Sequence, residues 1–183
     1  MNKKETAMIL ATLKAAYPSF YRDMSQEDAM AAANLWYDLF ADNDYTLVLA
    51  AVKALIKTRT NTFPPVPGEV TEQIHKLTHP DELTSADAWT MVKRAASRGL
   101  YNATEEFDKL PPPVQRIVGS PAQLRSWAEI DPQQFDTVVA SNFRRAYDAR
   151  RESDREYEAL PQGAKEVMQE IAAVAFKSLP EGR

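Results

Sequence analysis

Apolar positions along the chain recur at helical spacing, and the stripes break where Pro, Gly and small polar capping residues gather. Within residues 5–16 the stripe is Ala7, Leu10, Ala11 and Leu13, stopped by Tyr17-Pro18. Ser25-Gln26-Glu27-Asp28 reads as a helix start, with a hydroxyl to cap free amides and acidic residues facing the positive end of the dipole. The helix it opens carries Ala29, Ala32, Ala33, Trp36, Leu39 and Phe40. Asp42-Asn43-Asp44 breaks it and caps the next, where Leu47, Val48, Ala51 and Leu55 share a face. A loop over Thr58–Pro67 contains Phe63-Pro64-Pro65, and Pro67 suits the first position of a short helix over 67–77.

The second half repeats this grammar with different residues. Thr84-Ser85-Ala86-Asp87 opens a helix with Trp89, Val92 and Ala96, and Gly99 is placed to end it. Asn102 then caps a short helix through Leu110, and Pro111-Pro112-Pro113 breaks it. Val114–Val118 adds a turn or two before Gly119, and Ser120-Pro121 and Asp131-Pro132 are two further starts. The helix from Pro132 is the longest, extending to about Tyr157, with Phe135, Val138, Val139, Phe143 and Tyr147 as its apolar face. Pro161 opens a last helix bearing Val167, Ile171, Val174 and Ala175. β-Branched residues never alternate at period two for long enough to make a strand. The expected class is all-α: two small helical bundles joined by a short linker, with boundaries at 1–77, 78–84 and 85–183.

Composition narrows the function classes. Aliphatic, aromatic and Met residues make up 44% of the 183 positions, enough for a packed core. Lys and Arg number 22 against 26 Asp and Glu, and a net charge of −4 argues against a broadly basic nucleic-acid coat. Cysteine is absent, which removes disulfides, Cys–zinc sites and a thiol nucleophile. No run approaches the ~20 apolar residues of a membrane span. The first residues carry lysines with no apolar run behind them, so neither a signal peptide nor a membrane association is expected. The expected location is the cytoplasm.

Candidate chemistry is sparse. None of the five glycines stands in the Gly-x-x-x-x-Gly-Lys-Ser/Thr spacing that cradles phosphates, which argues against a P-loop ATPase. His75 and His79 lie at i,i+4, on one helix face, but no Glu follows His75 and Pro80 ends the helix; the expectation is two exposed helix-end residues and no metal. The pairs Asp42/Asp44, Glu105/Glu106 and Glu129/Asp131 fall at helix starts and on polar faces, where capping and solubility account for them. No catalytic residue and no cofactor is assigned. The densest basic cluster is Arg144, Arg145, Arg150, Arg151 and Arg155, but Asp148, Glu152, Asp154, Glu156 and Glu158 interleave with it and several stand at i,i+3 or i,i+4. The first reading of this helix is a solvated, self-paired one, and the second is a partner-facing end. Trp36, Tyr37 and Phe40 are expected in the first core, and Trp89, Trp127, Phe135 and Phe143 in the second. Phe63, in its stiff turn, is expected to tuck under the first bundle.

Several runs occur together in one order: Lys4-Glu5-Thr6-Ala7, Ala16-Tyr17-Pro18-Ser19-Phe20-Tyr21, Ala33-Asn34-Leu35-Trp36-Tyr37-Asp38-Leu39-Phe40-Ala41-Asp42, Val48 through Ile56, then Phe63-Pro64-Pro65 and Gly68-Glu69. With them the first eighty residues resemble the N-terminal helical domain of bacteriophage replicative-helicase loader/inhibitor proteins, typical of phages and prophages of Gram-positive bacteria. The second half resembles, more weakly, the C-terminal region of longer phage proteins of that kind. It does so through a Trp-led helix, Gly99-Leu100-Tyr101, Leu110-Pro111-Pro112-Pro113-Val114 and Asn142-Phe143-Arg144-Arg145-Ala146-Tyr147.

The resemblance implies a DNA-replication adaptor without enzymatic activity. It would bind the hexameric replicative DNA helicase of host or phage, preferentially in an ATP-bound state. It would hold down that helicase's ATPase and unwinding, and deliver it to a phage origin-binding initiator in the bacterial host cytoplasm. In such proteins the helicase contact is attributed mainly to the C-terminal part, which can be flexible when free. Here that part has a full set of apolar faces and caps, so an ordered second bundle is expected. Its helicase-contact residues would be Tyr101, Arg144, Arg145, Tyr147 and Arg151. The alternative is a non-enzymatic DNA-binding replication or regulatory protein built on short helices, which the charge balance counts against. An enzyme with a carboxylate site and a structural phage protein stand behind it.

Overall fold

A computed structural model describes residues 1–177. Gly182 and the rest of 178–183, the end of the expected C-terminal domain, lie outside the described residues. Those residues contain helices and no strand, so the fold is all-α as expected. By contacts the chain divides into two compact units. One is Met1–Pro80 together with the chain from Tyr157 onward, and the other is Asp81–Glu156. This division places the last helix with the N-terminal helices, whereas the sequence pattern grouped all of 85–183.

In the first unit, α1 (Lys3–Ala16) begins with a reciprocal cap: Glu5 N–H donates to Asn2 Oδ1 at 3.0 Å, and Asn2 N–H donates to Glu5 Oε2 at 2.7 Å. Its buried side is Thr6, Ile9 and Leu13, so the alanines of the expected stripe face outward. Ser25 caps α2 (Gln26–Phe40) through Asp28 N–H at 3.1 Å, and α2 contributes Trp36 and Phe40, whose rings lie 5.3 Å apart. Asp44 caps α3 (Tyr45–Thr58), accepting from Thr46 N–H at 2.8 Å and from the Thr46 hydroxyl; α3 buries Val48, Ala51 and Val52. α4 (Pro67–Thr78) starts on proline and closes the core with Val70 and Ile74. Ahead of it, Glu69 accepts from Val66 N–H at 2.9 Å and pairs with Arg59 at 3.3 Å, tying the Pro-rich loop to the helix it precedes. Phe63 does not tuck in. It is 61% exposed and edge-on to Phe20 at 6.3 Å, and the buried residue of this loop is Pro65.

The chain of this unit resumes at Tyr157. Here α10 (Gln162–Lys177) has its first amide held by Asp42, which accepts from Gln162 N–H at 3.0 Å.

In the second unit, α5 (Ser85–Asp108) is capped reciprocally by Thr84 and Asp87. It passes through Gly99, and only Asn102 leaves helical geometry (φ −120°, ψ 33°). The expected break at Gly99 is therefore a kink three residues later. Gly99 is buried against Leu124, whose Cγ would stand 3.5 Å from a β-carbon there, so packing holds the helix through it. α6 (Pro112–Val118) ends at Gly119, whose φ of +86° suits a residue without a β-carbon. α7 (Pro121–Glu129) is capped by Ser120 and lies along α5.

Asp131 caps the short α8 (Pro132–Gln134), accepting from Gln133 and Gln134 N–H at 3.0 and 3.1 Å. The helix then widens into a π-helical stretch, Phe135–Val139, before continuing as α9 (Ala140–Ala159). In that stretch Ala140 N–H reaches back to Phe135 O, five residues away. The wider turn carries Val138 out to solvent and brings Ala140 inward, so the buried face is Phe135, Ala140, Phe143 and Tyr147. The rings of this face meet Trp89 at a tilt, Trp89–Phe135 at 4.8 Å and Trp89–Phe143 at 5.5 Å, and Tyr147 stacks on Phe143 at 6.0 Å. Val92, Val114, Val118 and Leu124 fill the core around them.

Candidate partner-binding surface

α9 begins as a packing helix and ends as a charged one. Phe143 and Tyr147 fix its rotation by sitting in the core, which turns Arg144 and Arg145 outward. Neither arginine is in an ion pair among the described residues. Further along, the charges neutralise one another. Arg150 meets Asp154 at 3.0 Å, Arg151 meets Asp148 at 3.8 Å, and Arg155 meets Glu152 at 4.0 Å. That is the self-paired helix of the first reading, and it starts only after Arg145.

Arg151 and Arg155 also reach across to the segment before α5. Arg155 Nη2 donates to Glu82 Oε2 at 2.5 Å, and Arg151 Nη1 donates to Leu83 O at 3.3 Å. Tyr147 OH donates to the same carbonyl at 3.4 Å. Burial pushes the Tyr147 hydroxyl above the ordinary tyrosine range. These contacts hold the entry to α5 against α9. Of the five expected contact residues, Tyr147 is 5% exposed and belongs to the core, and Arg151 is half-buried in this strap. Arg144, Arg145 and Tyr101 stand free on the surface, Tyr101 at 86% exposure beside the Asn102 kink. Nothing in the structure brings Tyr101 to the arginines.

One surface was missed. On α10, Val167, Met168, Ile171 and Val174 are all exposed, at i, i+1, i+4 and i+7, so the helix presents an apolar stripe to solvent. The sequence pattern marks these positions as a packing face. An exposed apolar strip of this kind is a candidate interaction surface.

Five of the six carboxylates singled out in the sequence have structural partners. Asp44 and Asp131 cap helices, Asp42 holds Gln162, and Glu106 is bound by Lys109 at 2.8 Å. The Lys109 ammonium holds the Glu106 carboxyl below its ordinary range. No described helix is long and apolar enough to cross a membrane.

Residues 1–71 match the family model for the N-terminal domain of a phage helicase loader/inhibitor protein. The match covers α1–α3 and the start of α4 and ends before the second unit. No curated protein and no solved structure matches the chain.

Proposed function

We propose that the chain is a phage DNA-replication adaptor that binds the hexameric replicative helicase, restrains its ATPase and unwinding, and hands it to an origin-bound initiator in the host cytoplasm. The observation that carries this reading is the match of residues 1–71 to the N-terminal domain of a helicase loader/inhibitor. Three features of the rest of the chain support a binding role. Arg144 and Arg145 are exposed cations left over after Arg150, Arg151 and Arg155 have found carboxylate partners. The α10 stripe offers apolar area that is exposed among the described residues. Tyr101 adds an exposed ring of the type that anchors interfaces. Tyr147 and Arg151 act in this scheme by fixing the rotation of α9.

The mechanism needs no chemistry from the adaptor. A protein that prefers one conformation of a ring shifts the ring's population towards it, and a ring held in an ATP-bound, non-cycling state hydrolyses slowly. The test mixes the purified chain with the host's replicative helicase, with and without ATP, and follows complex size and ATPase rate together. A stable complex with a suppressed rate is expected, and Arg144→Glu/Arg145→Glu weakens it. Absence of a complex with both host and phage helicases, in either nucleotide state, overturns the reading. A steep, salt-dependent affinity for DNA would then favour the DNA-binding alternative.

A further inference from the structure

We infer a divalent metal site of the zinc class in the first unit, made by His75, His79 and Glu158. It is independent of the helicase reading. The two histidines occupy the last turn of α4 and its C-cap, with near-parallel rings 4.3 Å apart; their lone pairs lie in the ring planes, so the His75 ring turns about its Cβ–Cγ bond for both to meet one ion. Glu158, 79 residues beyond His79 in the chain, comes to the same place, with its Oε2 3.9 Å from His75 Nδ1. One ligand atom from each of the three lies within 4.8 Å of the others. Two imidazoles and a carboxylate, with a further position left to water, form a donor set that zinc accepts readily.

The surroundings already favour one tautomer of His79. The Thr78 hydroxyl donates to Ile74 O at 3.0 Å, which turns its lone pair to His79 Nδ1 at 2.9 Å. His75 O also faces that nitrogen, at 3.3 Å. Nδ1 therefore carries the hydrogen and Nε2 keeps the free lone pair. Metal-bound histidines are held in the same way, by a hydrogen bond from the nitrogen that does not ligate. Glu158 is well exposed, so its carboxylate can swing the further ångström or so that bonds of about 2.1 Å require. Against the site stands Lys165, whose ammonium binds Glu158 O at 2.9 Å and places a positive charge nearby.

The bound ion would join the end of α4 to Glu158, just before the turn that leads into α10. That turn also carries the Asp42–Gln162 and Glu158–Lys165 hydrogen bonds. A ligand bound only by the folded arrangement stabilises it.

The experiment titrates Zn²⁺ into the full chain, free of any polyhistidine tag and pretreated with chelator, by calorimetry, with Co²⁺ as a spectroscopic probe. One equivalent should bind, with the intense visible bands of low-coordinate Co²⁺ and a rise in melting temperature that chelator reverses. His79→Ala should abolish saturable binding. Glu158→Gln should weaken it by about tenfold or more, the loss that removal of even an outer partner brings. Glu156→Gln, an exposed neighbour, should bind as the parent does. Circular dichroism of each variant separates lost ligation from lost folding. No saturable binding in the parent overturns the site, and so does unchanged affinity in folded His79→Ala or Glu158→Gln.

Discussion

The two units make their cores differently. The first joins aliphatic side chains from successive helices: Ile9, Leu13, Val48, Val52, Val70 and Ile74, with Trp36 and Phe40 at one side. The second is centred on rings brought from far apart in the chain, with Trp89 of α5 against Phe135 and Phe143, and Trp127 edge-on to Phe143 at 6.5 Å. Around those rings α5 supplies alanines, Ala88, Ala95 and Ala96, which add little area of their own. Many medium contributions share the load in the first unit, whereas a few large ones carry it in the second. A core of the second kind is vulnerable at single positions, and it needs extra ties such as the Glu82–Arg155 pair to hold its ends.

The contrast is broken or sharpened by substitution. Trp89→Ala should have the largest effect, about 3–5 kcal/mol of unfolding free energy in urea, because it removes the ring on which two others pack. A loss below about 1 kcal/mol would end the comparison. Leu13→Ala, fully buried in the first core, should cost about 2–3 kcal/mol, at the lower end of the Leu→Ala range, if shared packing lets neighbours relax. A cost equal to that of Trp89→Ala would argue against distributed packing. Glu82→Ala should cost about 1.5 kcal/mol, since it leaves Arg155 without its closest acceptor in a half-buried setting. Added salt should change that difference little, unlike the response of an exposed pair.

The smallest of these effects is one of pH. The Thr46 hydroxyl and the amides of Leu47 and Thr46 hold the Asp44 carboxyl below its ordinary range. A lowered folded-state value contributes stability that is present above the unfolded value, about 4, and is lost as pH falls through the folded one. Asp44→Asn should therefore flatten the acid side of the stability curve while leaving a cap in place. An unchanged acid slope would mean that Asp44 contributes nothing there.

Helix starts were the most legible part of the sequence, because a cap is a local event. Ser25, Asp44, Thr84, Ser120 and Asp131 each accept the backbone hydrogen bond that their position implied. Faces were less legible. In α1 the alanines drew the stripe to one side, while Thr6 and Ile9 are buried beside Leu13, since a single methyl gains too little area from burial to set the rotation of a helix. Gly99 signalled an end that α7 packing overrides, and no local pattern carries that information. Among the candidate contact residues, Arg144 and Arg145 stayed on the surface, whereas Tyr147 went to the core. The α10 stripe looked like any packing face, because periodicity records that a helix has an apolar side and not whether anything covers it. The approach of Glu158 to His75 and His79 depends on a return of the chain over 79 residues, which spacing cannot show.

The π-helical stretch has a consequence for length variation. Its buried positions Phe135, Ala140, Phe143 and Tyr147 follow steps of five, three and four. Removing one residue between the first two turns this into four, three and four, the heptad-like rhythm of an uninterrupted α-helix. The stretch thus behaves as an insertion stored in the helix, and exposed Val138 is the natural one to excise. Deleting it should leave the melting temperature nearly unchanged. Deleting Ala146 instead should be severe, because it turns Tyr147 about 100° away from the core with nothing to take up the slack. A one-residue deletion along Pro132–Ala159 is tolerated in the π-helical stretch and ruinous beyond Ala140.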